Sequence, residues 1–118
     1  MKKIKENTKI KINIKVNNYK IENIGTKYKE ILNCIDNNDN KTEVSFNLKK
    51  YILIRENKEI KIQMDFLNKK INYYLKENNK NLTIPITVKD VNEKENQIEI
   101  TYQTEEEIFN LKIEYINI

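Results

Sequence analysis

Residues 81–90 read NLTIPITVKD. Leu82, Ile84, Ile86 and Val88 alternate with Thr83, Thr87 and Lys89, the period of two that turns one face of a β-strand to a core and the other to water. Pro85, the only proline in the chain, interrupts that run. Proline has no backbone N–H to give to a ladder, so it is confined to a sheet edge, a strand end or a bulge. In an antiparallel sheet that curls into a barrel, a bulge or the seam of closure is its natural home, and a bend there helps the strand follow the curve. The proline therefore speaks to architecture.

The same alternation recurs in both directions from this stretch. Ile10, Ile12, Ile14 and Val16 alternate with lysine and asparagine. Val44, Phe46 and Leu48 keep the spacing of two, as do Ile60, Ile62, Met64 and Phe66. Ile98, Ile100 and Tyr102 follow, then Phe109, Leu111, Ile113 and Tyr115. Short polar clusters separate the runs, among them Asn17-Asn18, Asp36 to Asn40, Asn68 to Lys70 and Asn92 to Asn96. Asparagine tolerates the left-handed backbone of tight turns, so it can serve where glycine usually does. The pattern predicts one all-β domain over residues 1–118, an antiparallel meander closing into a barrel of about eight strands with at most one short helix. Ile12, Ile62 and Ile100, each mid-strand, are expected in its core. Residues 28–35 admit two readings: Tyr28, Ile31, Leu32 and Ile35 have helical spacing, while ILNCI at 31–35 also reads as a strand, which its neighbours favour.

Composition removes several kinds of chemistry. The chain has 118 residues and a net charge of +4, with one Gly, one Cys and no His. Without His, a Ser–His–Asp triad, a Cys–His pair and a His/Cys zinc site within one subunit are all excluded. One glycine cannot build a phosphate-cradling loop. Cys34, alone, reads as a small hydrophobe. Asp36 and Asp39 near one turn, and Glu105 to Glu107, lack the spacing of a calcium loop and read as solvated charge. No apolar run is long enough to span a bilayer. The basic N-terminus lacks the hydrophobic stretch of a signal peptide, so a reduced, cytoplasmic protein is expected. Its 22 basic residues are mixed with 18 acidic ones, which reads as a solvated surface and makes nucleic acid an improbable partner.

Arg55 is the only arginine beside 21 lysines. A fork-shaped guanidinium suits a carboxylate or phosphate, either on a ligand or on a neighbouring strand. The seven tyrosines fall mostly on the apolar phase, as core residues would.

In the second half, YILIREN at 51–57, MDF at 64–66, Tyr74, LTIPITV at 82–88, Ile98 to Tyr102 and NLKI at 110–113 together resemble the YwiB-like family. These are small, uncharacterised bacterial proteins with a calycin-type antiparallel β-barrel. The resemblance covers roughly residues 50–118 and implies a calycin-like, lipocalin-like barrel without implying an activity. Where the family tends to have an Arg-x-Gly turn this chain has Arg55-Glu56-Asn57, which places Asn in the role of Gly. By fold analogy with lipocalins, a ligand would sit in the barrel mouth. The resulting expectation is a non-enzymatic protein, without cofactor or metal, that takes a small, partly apolar or anionic ligand inside the barrel. Arg55 would recognise charge and Tyr102 would offer a hydroxyl at the lumen wall. A packed barrel forming a homodimer through an exposed strand edge, or weak RNA association through lysine-rich strands, are the alternatives.

Overall fold

The alternation of β-branched isoleucine with lysine and asparagine fits a pleated surface that is half buried and half wet. Strands result wherever it holds. The computed structural model describes residues 7–39 and 41–118; residues 1–6 and Asn40, and with them the reading of the basic N-terminus, lie outside the described residues. Among the described residues there are eleven strands and no helix. The first five are β1 (Thr8–Val16), β2 (Tyr19–Tyr28), β3 (Ile31–Ile35), β4 (Glu43–Asn47) and β5 (Ile52–Glu56). Then come β6 (Ile60–Asp65), β7 (Lys70–Leu75), β8 (Lys80–Pro85), β9 (Thr87–Lys94), β10 (Gln97–Gln103) and β11 (Ile108–Asn117). They form one sheet in the order β8-β7-β6-β5-β4-β3-β2-β1-β11-β10-β9. Every pair is antiparallel, and the sheet curls into a nearly closed barrel.

The two edge strands, β8 and β9, are successive in sequence, with only Ile86 between them. Following the antiparallel pairs round the sheet gives β8 and β9 the same direction. They are two halves of one kinked stave, the first paired to β7 and the second to β10. The expected run of 82–88 therefore divides, which contributes to a count of eleven rather than about eight. β2 adds another, because only Ile21 and Gly25 of its ten residues are buried and no apolar alternation announces it.

Pro85 sits at this seam. The Ile86 N–H donates to the Lys69 carbonyl at 3.0 Å, so position 86 faces β7 and position 85 faces the free edge. A missing N–H at position 85 thus removes no ladder bond. The bulge lies a few residues on, where Asp90 pairs with Thr101 but Val88 pairs with Tyr102, leaving Lys89 over.

Turns use the left-handed conformation at Asn17 (φ 51°), Asn79 (50°) and Asn96 (59°), and also at Lys29, Tyr51 and Lys69. Lys29 begins the turn at 29–30 that separates β2 from β3, so the helical spacing across 28–35 arises from strand, turn and strand. Asn57 does not take the role of glycine. Its φ is not positive, and its Oδ1 instead accepts the N–H groups of Glu59 (2.8 Å) and Ile60 (3.0 Å), an Asx turn. Gly25 lies inside β2 with ordinary φ, where a Cβ would stand 2.1 Å from the Asn33 carbonyl oxygen. Glycine there permits close approach of β3.

Ile10, Ile12 and Ile14 meet Ile98, Ile100, Leu111 and Ile113 in a single buried cluster that continues to Leu32, Val44, Phe46 and Leu53. Tyr102 stacks on Phe109 with centroids 5.1 Å apart and meets a tilted Phe66 at 5.2 Å. Ile12 and Ile100 are buried as expected, whereas Ile62 is only half buried. Ile12→Ala and Ile100→Ala should each lose about 2–5 kcal/mol in denaturant titration. Ile62→Ala should lose less than either. Gly25→Ala should lose about 1–3 kcal/mol by crowding a backbone oxygen. Equal losses at the three isoleucines would mean that Ile62 is packed as tightly as the others.

Candidate functional site

Alternate turns of a meander lie at one end of the barrel, so turns 17–18, 36–42 and 57–59 share an end. Below them the interior is not filled. A cavity of about 220 Å³ is walled by Ile14, Val44, Leu53, Ile62, Met64 and Tyr73, with Val16 and Ile21 completing its apolar surface. Ile62 is half buried because it faces this space. Three of the lining side chains, Tyr19, Arg55 and Tyr73, carry polar groups. Arg55 and Ile62 also border a smaller cleft of about 80 Å³, lined by Asp39, Thr42, Glu56 and Asn57.

Arg55 is held by a carboxylate. Its Nη2 donates to Asp36 Oδ2 at 3.1 Å, and the Tyr19 hydroxyl donates to the same oxygen. Asp36 Oδ1 accepts the Asn38 N–H at 2.8 Å. The guanidinium carbon lies 5.5 Å from the centre of the Tyr19 ring, close enough for a cation–π contribution. Asp36 is fully buried, while about a third of the Arg55 side chain is exposed. Burial alone would raise the Asp36 carboxyl, but Tyr19, Asn38 and the charge of Arg55 outweigh it and hold it below the usual carboxylate range. Burial and the bond to Asp36 push the Tyr19 phenol up. The Arg55 Nε is buried without a hydrogen-bond partner.

The loop after β3 is positioned by its own polar side chains. Asn38 Nδ2 donates to the Lys20 carbonyl and Asn37 Oδ1 accepts the Glu22 N–H, each at 2.8 Å. These bonds serve the part of β2 that β3 does not reach. The buried Thr42 hydroxyl donates to Asp39 Oδ2 at 2.9 Å and accepts from Asn57 Nδ2 at 3.2 Å. The loop, β2 and the Asx turn at Asn57 thus fix Asp36 from three sides.

Of the residues expected to contact a ligand, Arg55 lines the cavity. Tyr102 is placed elsewhere, in the core between Phe66 and Phe109, where burial first, then Tyr73 and Glu107, push its phenol up. Asp36, expected as solvated charge, is instead the most enclosed carboxylate of the chain's described part, because Arg55, Tyr19 and Asn38 satisfy it. A lone arginine needing a partner was the available signal. Its partner lies two strands away, since β4 separates β3 from β5. Cys34 is buried and its thiol is pushed up to about 11 by burial and by Asp36, so it is a poor nucleophile.

Among the described residues no three His, Cys, Asp or Glu side chains converge as a metal site would need. No helix is long and apolar enough to cross a membrane. The barrel's inward faces are apolar and its outward faces carry Lys11, Lys15, Glu99 and Glu114, the reverse of the pattern in a membrane-spanning barrel. Comparison with family models, curated proteins and solved structures returns no match.

Because Asp36 titrates lower in the folded chain than the unfolded value of about 3.9, its contribution is present above that pH and is lost as pH falls below about 4. Asp36→Asn should therefore be less stable than the wild type at pH 7, with the gap closing toward pH 3. Tyr19→Phe, which removes one donor to the carboxylate, should lose about 1.5–3 kcal/mol at neutral pH. Urea midpoints at both pH values make the comparison. A gap equally wide at pH 3 would mean that the ionised carboxylate is not what stabilises the loop.

Proposed function

We propose that this protein is a non-enzymatic binder of a small, partly apolar molecule held inside the barrel. The observation that carries the reading is an apolar cavity of about 220 Å³ bordered by a guanidinium that Asp36 holds through Nη2. Ordinary small-molecule sites have this make-up, many apolar walls and a few polar groups that fix orientation. The size sets the scale of the occupant. A dry cavity of about 150 Å³ takes one benzene, so this one suits a single substituted ring or a short branched chain. It is smaller than the roughly 300–1,000 Å³ of drug-sized pockets.

The other readings find less support. A homodimer through the β8 edge has exposed Leu82 in its favour, but Pro85 blocks one donor position on that edge, and proline on an edge opposes strand addition. RNA association would call for an outward face of one sign. Lys15, Lys20 and Lys112 do form a cross-strand row, but Lys20 lies 3.9 Å from Glu22 and Lys112 lies 3.9 Å from Glu114. A cytoplasmic location belongs to the same proposal, on the strength of a lone, free cysteine. So does the resemblance to the YwiB-like family, whose calycin-type barrel is compatible with this all-β sheet.

The test is titration of isotopically labelled protein with 4-methylacetophenone, a one-ring ketone of suitable size, followed by NMR. Shifts should concentrate on Ile62, Met64 and Tyr73. Ile62→Phe, which fills the cavity, should abolish them while the protein stays folded. Shifts that persist unchanged in the filled variant would place the binding elsewhere and defeat the reading.

A further inference from the structure

The state of Arg55 restricts the kind of molecule the cavity accepts. An arginine beside an apolar cavity ordinarily suggests an anionic ligand, because guanidinium pairs with carboxylate or phosphate. Here the pairing is already made. Asp36 Oδ2 accepts both Arg55 Nη2 and the Tyr19 hydroxyl, and Asp36 Oδ1 accepts the Asn38 N–H. An incoming anion could displace Asp36 only by stranding a fully buried carboxylate, which is strongly unfavourable. If Asp36 stays, the anion meets a cation whose charge is already balanced by a carboxylate 3.1 Å away. Attraction and repulsion then largely cancel, while the anion still loses its hydration among Ile14, Val44, Leu53 and Ile62.

A neutral acceptor faces neither difficulty. It brings no charge to desolvate, and it can take a hydrogen bond from the part of the guanidinium that Asp36 leaves free. About a third of the Arg55 side chain is exposed, and it lines the cavity. Tyr19 and Cys34, both pushed up by burial and by Asp36, are neutral and offer the ligand no charge.

We infer that the cavity is selective for neutral, apolar molecules bearing a hydrogen-bond acceptor, such as a ketone or carboxamide, and that the Asp36–Arg55 pair excludes the corresponding carboxylates. This rests on the reading of the cavity as a binding site. Arg55 supplies the donor, and Asp36 acts as a built-in counter-anion that sets ligand charge.

The experiment compares 4-methylbenzamide with 4-methylbenzoate, nearly isosteric and differing in charge, at pH 7, with 4-methylacetophenone as a second neutral probe. Wild-type protein should bind the amide and the ketone at least tenfold more tightly than the benzoate. In Asp36→Asn the guanidinium charge is released, so the benzoate should gain at least tenfold relative to the amide. If Asp36→Asn does not fold, the wild-type ratio decides by itself. Benzoate binding as tight as the amide in wild type would overturn the inference and leave the cavity reading standing. No binding by any of the three probes would remove the cavity reading, and the inference with it.

Discussion

The fold depends on one handover. Between Pro85 and Thr87 the chain stops pairing with β7 and starts pairing with β10, without a turn and without changing direction. Antiparallel neighbours all the way round a ring require an even number of staves, and this kinked stave turns eleven strands into ten. Proline is suited to the position because its nitrogen faces the edge that β7 does not use. The bulge at Lys89 adds the local twist that lets the second half follow the curve. Both halves pay in exposure: nearly all of β8 and β9 is open to solvent, and only Ile86, at the handover itself, is buried.

The closure also creates the site. A sheet of this many strands, wrapped this far, encloses more volume than its inward side chains fill. Over much of the interior, aromatic and isoleucine side chains take up the space. Beside the cavity the inward row reads Arg55, Ile62, Tyr73 and Leu82 on successive strands. A guanidinium drawn aside to Asp36 and an exposed leucine at the edge leave that row loosely packed, and the cavity opens there.

Much of this was legible in the sequence, and the reasons for the remainder are physical. Period-two runs identified β1, β6, β10 and β11 because their inward residues are nearly all Ile, Leu, Met, Phe or Tyr. Pro85 pointed to the seam because the missing N–H is an intrinsic constraint. β2 stayed hidden because its inward positions opposite Ile14, Ile12 and Ile10 are Ile21, Asn23 and Gly25, which leave no hydrophobic period. Arg55 stood out as the only arginine. Asp36 did not, since an aspartate beside asparagines looks like any surface turn until the strand two places away is folded against it. Tyr102 shows the same limit from the other side: strand phase locates a tyrosine in the interior but does not tell a cavity wall from a ring stack.

The pairing of β1 with β11 has a consequence for how the chain acquires its structure. Ile10 pairs with Asn117 and Val16 with Leu111, so the first strand finds one of its two neighbours only when the last strand exists. During synthesis β1 can form a hairpin with β2, but the sheet stays open on its other side until β11 emerges. Such distant pairing slows folding, because a long loop must close before its contacts form. Meanwhile Ile10, Ile12 and Ile14 present an apolar face beside an unpaired edge, a setting that invites aggregation. Lys9, Lys11 and Lys15, interleaved with them, place a charge at nearly every second position of that waiting strand, and so act as gatekeepers before they become surface.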